Sequence, residues 1–92
     1  MKGSIDLDTV WGRIVQAAGE EFRLVGGDAF VFSIEGRSVV PDRTGYPISR
    51  PEFGKALELV PLRGPGEVRD LVRGPSYVYA ILSDPRISAG EW

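Results

Sequence analysis

The chain has 92 residues, 42% of them apolar and 26% charged. That is enough for one hydrophobic core and too few for two, so a single small globular domain over residues 1–92 is expected. With 11 basic and 13 acidic side chains, a net charge of −2, and neither cysteine nor histidine, disulfides, thiolate metal sites and cysteine nucleophiles are excluded. The side chain that most often acts as a general base near neutral pH is missing too.

No apolar run approaches the roughly 20 residues that cross a bilayer, and no basic segment leads into an apolar stretch at the start. A soluble, cytoplasmic chain without membrane attachment is the expectation. In chain order, Leu7, Val10, Trp11, Ile14, Val15 and Ala18 recur at helical spacing, which predicts an amphipathic N-terminal helix. Asp6 or Ser4 is placed to cap its start, and Gly19 supplies the left-handed position that commonly ends a helix.

From Glu20 the period becomes two. Phe22 and Leu24 alternate with polar residues, then Phe30, Phe32 and Ile34 do the same, with Gly26-Gly27-Asp28 as a turn between them. Glu35-Gly36 turns the chain into a third short strand, Arg37 to Val40, so a three-stranded antiparallel meander is predicted. Two prolines between residues 41 and 47 stop the sheet, because proline lacks the ladder donor.

Ser49-Arg50-Pro51-Glu52 matches a capping box, and Ile48 and Phe53 stand where a hydrophobic staple would put them. Phe53, Ala56, Leu57 and Val60 give one apolar face, and Pro61 forbids continuation, so a second helix from Arg50 to about Val60 is predicted. Beyond it, Leu62-Arg63-Gly64-Pro65 and Val72-Arg73-Gly74-Pro75 repeat an apolar-Arg-Gly-Pro tetrad ten residues apart. Tyr77 to Leu82 is an unbroken apolar run that fits a buried strand or a buried short helix, since periodicity does not separate the two. Between the tetrads, Val68, Leu71 and Val72 suit a helical turn or two; the C-terminal region otherwise reads as irregular, its tail frayed unless Ile87 and Trp92 dock. The fold class is therefore α+β, a helix on a small antiparallel sheet followed by a second helix. The order of three strands then a helix resembles, at fold level only, plant-type AP2 and winged-helix DNA-binding modules, and fold does not carry function.

Few residues offer catalytic chemistry. Pro41-Asp42, Glu52 and Lys55 come close to the signature of the restriction-endonuclease-like superfamily, but the second acid and the lysine stand two residues apart where that family has one between strand neighbours. Glu35-Gly36-Arg37 with Asp28 upstream has the spacing but puts arginine in place of lysine. Asp6/Asp8 and Glu20/Glu21 sit at element ends, where solvated caps are expected rather than the acid–base pair with one buried partner that hydrolysis needs. Without histidine, a serine nucleophile would depend on Lys2 or Lys55 as base, and neither lies in a serine-lysine motif. No metal site, cofactor or enzymatic activity is expected.

What remains is binding. Residues 1–35 carry 3 basic and 6 acidic side chains, residues 36–92 carry 8 and 7, and nine of the 11 basic residues are arginine, the side chain suited to bidentate anion contacts. Arg37, Arg43, Arg50 and Lys55, with Tyr46 as a stacking platform, form a candidate site for an anionic partner such as nucleic acid. Arg73, Tyr77, Tyr79 and Arg86 form a candidate protein interface, rich in residue types that dominate hot spots. The expected function is a non-enzymatic binding module for an anionic partner, with a protein-interaction or homodimerisation module as the alternative.

Overall fold

The computed structural model describes residues 6–92; Ser4 and Lys2 lie outside the described residues. The first helix, α1 (Leu7–Gln16), starts where Asp6 accepts a hydrogen bond from the Asp8 N–H and another from the Thr9 hydroxyl. It buries Val10, Trp11 and Ile14, the predicted stripe, while Val15 is exposed and Ala17 takes the inward place expected of Ala18. Gly19 follows the helix with φ +87°.

The alternating segment folds as expected for antiparallel pairing but changes partner midway. β1 (Phe22–Arg23) pairs with β2 (Ala29–Phe30) around the turn that contains Gly27 at φ +98°. β3 (Phe32–Glu35) then pairs with β4 (Ser38–Pro41), which pairs with β5 (Ile48–Ser49), giving a three-stranded antiparallel sheet in the order β3-β4-β5. The hinge between the two sheets is Val31. Its N–H donates to the Asp42 carboxylate at 3.1 Å and its carbonyl accepts from the Asp42 N–H at 2.9 Å. The third member of the sheet is thus a segment whose sequence reads as the lead into a helix. Pro41 belongs to the central strand because the Asp42 N–H points to the β3 side. The proline nitrogen therefore faces the other way, past the end of β5, where no donor is required.

The second helix, α2 (Arg50–Leu57), is shorter than predicted; Glu58 and Leu59 close it with N–H bonds to the carbonyls of Lys55 and Ala56. Its capping box is not formed. Ser49 is in the N-cap position but makes no side-chain cap bond. Glu52 turns away from the helix start, accepting from the Arg73 N–H at 2.9 Å and pairing with Lys55. Ser49 is at the same time a strand residue opposite Ser38, and the carboxylate goes to a backbone donor with no other partner. Ser49→Ala is accordingly expected to change stability by less than about 0.5 kcal/mol, whereas Asp6→Ala should lower it by about 1 kcal/mol; urea melts of the two variants check the contrast. Gly54 lies against α1, since a Cβ there would stand 3.1 Å from the Leu7 side chain.

The two tetrads begin helices: Gly64-Pro65 opens a 3-10 helix (Pro65–Val68) and Gly74-Pro75 opens α3 (Pro75–Ser83). Proline suits a first helical position, where its missing N–H is not needed. The apolar run that fitted strand or helix is therefore helical, and α3 buries Val78, Ala80, Ile81 and Leu82 against α2, β1, the 3-10 helix and α4 (Pro85–Ser88). The C-terminal region is more regular than its composition implies, and its tail docks. Ile87 is fully buried, the Trp92 indole N–H donates to the Leu82 carbonyl at 2.7 Å, and Arg13 reaches the Ile87 carbonyl at 2.9 Å. Phe22, Phe30, Phe32, Phe53 and Leu57 share one core with α3 and α4. No helix among the described residues is long and apolar enough to cross a membrane.

Candidate functional site

The strand β4 divides the residues predicted to face an anion. Arg37 precedes it, and the Arg37 carbonyl accepts the Arg50 N–H at 2.8 Å, so these two lie beside the first turn of α2 with Lys55 one turn on. Arg43 and Tyr46 follow the far end of β4, about 10 Å away at the rise of an extended strand. The five residues therefore form two groups at opposite ends of one strand.

Their charges are also engaged to different degrees. Arg50 is ion-paired with Asp8, Lys55 with Glu52 at 3.5 Å, and Arg43 with Asp28 at 3.8 Å. Arg37 is exposed and its side chain has no ion pair or hydrogen bond among the described residues. Tyr46 is 77% exposed, its N–H held by the Thr44 hydroxyl. Val25 is 68% exposed on the β1–β2 turn, and the Arg43–Asp28 pair ties that turn to the loop after β4.

The predicted protein-interface residues are mostly committed to the fold. The Tyr77 ring meets Phe30 edge-on with centroids 4.9 Å apart. Arg86 lies 3.8 Å over the Phe22 ring and bonds Asp84, Glu20 and the Glu21 carbonyl. This closes the exposed side of the core with a cation that keeps its charge satisfied. Tyr79 is half-buried on α3, and only Arg73 is exposed without a side-chain partner among the described residues.

Hydrogen bonds from Arg86, opposed by burial, hold the Asp84 carboxyl below its ordinary value of 3.8, and the same pairing raises the Arg86 guanidinium. A carboxyl with a folded value below its unfolded one contributes stability that is present above the unfolded value, near pH 4, and is lost as pH falls through the folded one. Arg86 stays charged throughout and adds no pH dependence. On acidification from pH 5 to pH 2, the melting temperature of wild type should fall further than that of Asp84→Asn, which keeps the cap but has no carboxyl to protonate; thermal melts across that window check it.

The acidic residues that come close to a nuclease signature have structural partners. Asp42 fixes Val31 and Glu52 fixes Arg73, while Asp6 caps α1 and Glu20 and Glu21 pair with Arg86 and Arg23. No group of three acidic residues placed to hold a metal ion occurs among the described residues. No family model, curated protein or solved structure matches this chain.

Two exposed arginines escaped the sequence reading as binding residues, Arg63 and Arg69, both on the segment between α2 and α3 and both without side-chain partners among the described residues. The tetrad repeat marked that segment, but nothing in its spacing told whether its arginines would be neutralised.

Proposed function

We propose that the chain is a non-enzymatic binding module of the cytoplasm that contacts an anionic partner, nucleic acid, through the face around the first turn of α2, where Arg37, Arg50 and Lys55 come together. The observation that carries this reading is Arg37. Its carbonyl is tied to the Arg50 N–H while its guanidinium has no partner among the described residues, so a cation is held on a fixed backbone and left to solvent. Such a group meets a phosphate without first breaking an internal ion pair. The net charge of −2 works against long-range attraction, so the binding is weak and strongly salt-dependent.

The test is a titration of labelled single- and double-stranded DNA at about 50 and 200 mM salt. Wild type should bind at the lower salt and weaken at the higher, and Arg37→Ala should weaken binding at the lower salt. Absence of binding by wild type at low salt overturns the reading.

A second reading, a protein-interaction or homodimerisation module, draws on Val25 and Tyr46, two large side chains left exposed on adjoining loops. It expects salt-insensitive association, and sedimentation of the same samples over a wide concentration range separates it from the first.

A further inference from the structure

We propose that the two apolar-Arg-Gly-Pro tetrads are a matched pair of phosphate contacts, Arg63 and Arg73, for the sugar-phosphate backbone of nucleic acid. The proposal rests on the reading above and extends its face onto the segment between α2 and α3. The two copies are built alike. In each, the residue before the arginine packs on the core, Leu62 half-buried and Val72 buried. In each, the glycine and proline that follow open a helix. In each, a glutamate carboxylate accepts the arginine's own backbone N–H, Glu67 for Arg63 at 2.8 Å and Glu52 for Arg73 at 2.9 Å.

The carboxylates thus fix the main chain and leave the guanidinium groups alone. This arrangement sets the segment apart. Of the nine arginines, five form ion pairs, at positions 13, 23, 43, 50 and 86. Four have no side-chain partner among the described residues, and three of those four, Arg63, Arg69 and Arg73, lie between α2 and α3.

An arginine with a fixed backbone and a solvated head loses less freedom on binding than one on a mobile loop, and it gives up no internal partner. Separate guanidinium groups on one surface segment fit a repeating anion rather than a single phosphate. Arg73 also adjoins the proposed face, because Glu52 of α2 holds its N–H and Gly74 packs on Ile48 of β5, close to where Arg37 meets Arg50.

The test uses the whole chain and labelled 20-nucleotide DNA, single-stranded and duplex, titrated by fluorescence anisotropy across about 50–200 mM salt, with polyglutamate and inorganic phosphate as competing probes. The variants are Arg63→Ala/Arg73→Ala, the charge-keeping Arg63→Lys/Arg73→Lys, and Arg23→Ala as a surface control already paired with Glu21. Each is confirmed as folded by its thermal melt. The alanine pair should lower the slope of log K against log salt by about two on duplex. The lysine pair should keep the slope, and Arg23→Ala should match wild type. Wild-type binding with an unchanged slope in the alanine pair overturns this inference and leaves the reading of the α2 face standing. No wild-type binding to either DNA overturns both. Displacement of DNA by polyglutamate at similar charge concentration overturns the proposal in favour of an acidic polypeptide partner, and displacement by inorganic phosphate alone overturns the requirement for a polymer.

Discussion

Phe32→Ala should lower the unfolding free energy by about 3–5 kcal/mol and the melting temperature by about 12–40 °C, near the whole stability of a domain this small. The ring is 2% exposed and lies 5.3 Å from the Phe22 ring, which in turn lies 6.0 Å from Phe30. Phe32 also opens β3, where it stands opposite Pro41 and its carbonyl accepts the Gly19 N–H. Truncation therefore empties a site walled by two sheets, and the walls are too well tied to collapse into it. Chemical denaturation followed by tryptophan fluorescence measures the loss; an unchanged midpoint would show that the ring is not part of the core. Phe32→Leu should recover more than half of the loss by refilling most of the volume.

Gly74→Ala should lower stability by about 2–5 kcal/mol, a large effect for one methyl group. Two causes add. The residue has φ +59°, where an L side chain costs about 1–2 kcal/mol. The new Cβ would also stand 2.7 Å from Ile48 Cδ1 and 3.1 Å from Cγ1. Ile48 cannot swing aside, because it is buried and its backbone is held in β5, so overpacking contributes a further 1–3 kcal/mol. Gly36→Ala isolates the first cause, since its φ is +62° and nothing lies within 4 Å of its added Cβ. Denaturant melts should place Gly36→Ala near 1 kcal/mol below wild type and Gly74→Ala well below that. Equal losses would remove the Ile48 contact from the explanation.

Much of the fold is legible because its signals are local. The spacing of Val10, Trp11 and Ile14 with Asp6 ahead of them defines α1, and the alternation of Phe22, Phe30 and Phe32 identifies the core residues. The exchange of strand partners at Val31 is not legible, because it depends on Asp42, eleven residues away, supplying both a donor and an acceptor. Ile48-Ser49 reads as a staple and a cap, and the same two residues serve as a strand; a two-residue ladder carries no period of its own. The run from Tyr77 to Leu82 shows no period because it is buried on most sides. Its helical state follows from the Gly-Pro ahead of it and the Asp-Pro behind it.

The candidate site is less legible for a related reason. Sequence shows which arginines exist, but pairing is a property of tertiary proximity. Arg50 meets Asp8 and Arg86 meets Glu20 across 42 and 66 positions, while Arg63 and Arg73 meet nothing with their side chains among the described residues.

The bond from Arg13 to the Ile87 carbonyl spans 74 residues, and that separation can be converted into time. At a synthesis rate of about 5–20 residues per second, α1 waits about 4–15 s after it is made before its acceptor has been added. Through that interval α1 has no α4 to lie against, and a newly made chain is exposed to capture by other apolar surfaces. Slowing translation over residues 75–92 should therefore raise the yield of aggregated protein without changing the stability of the finished molecule.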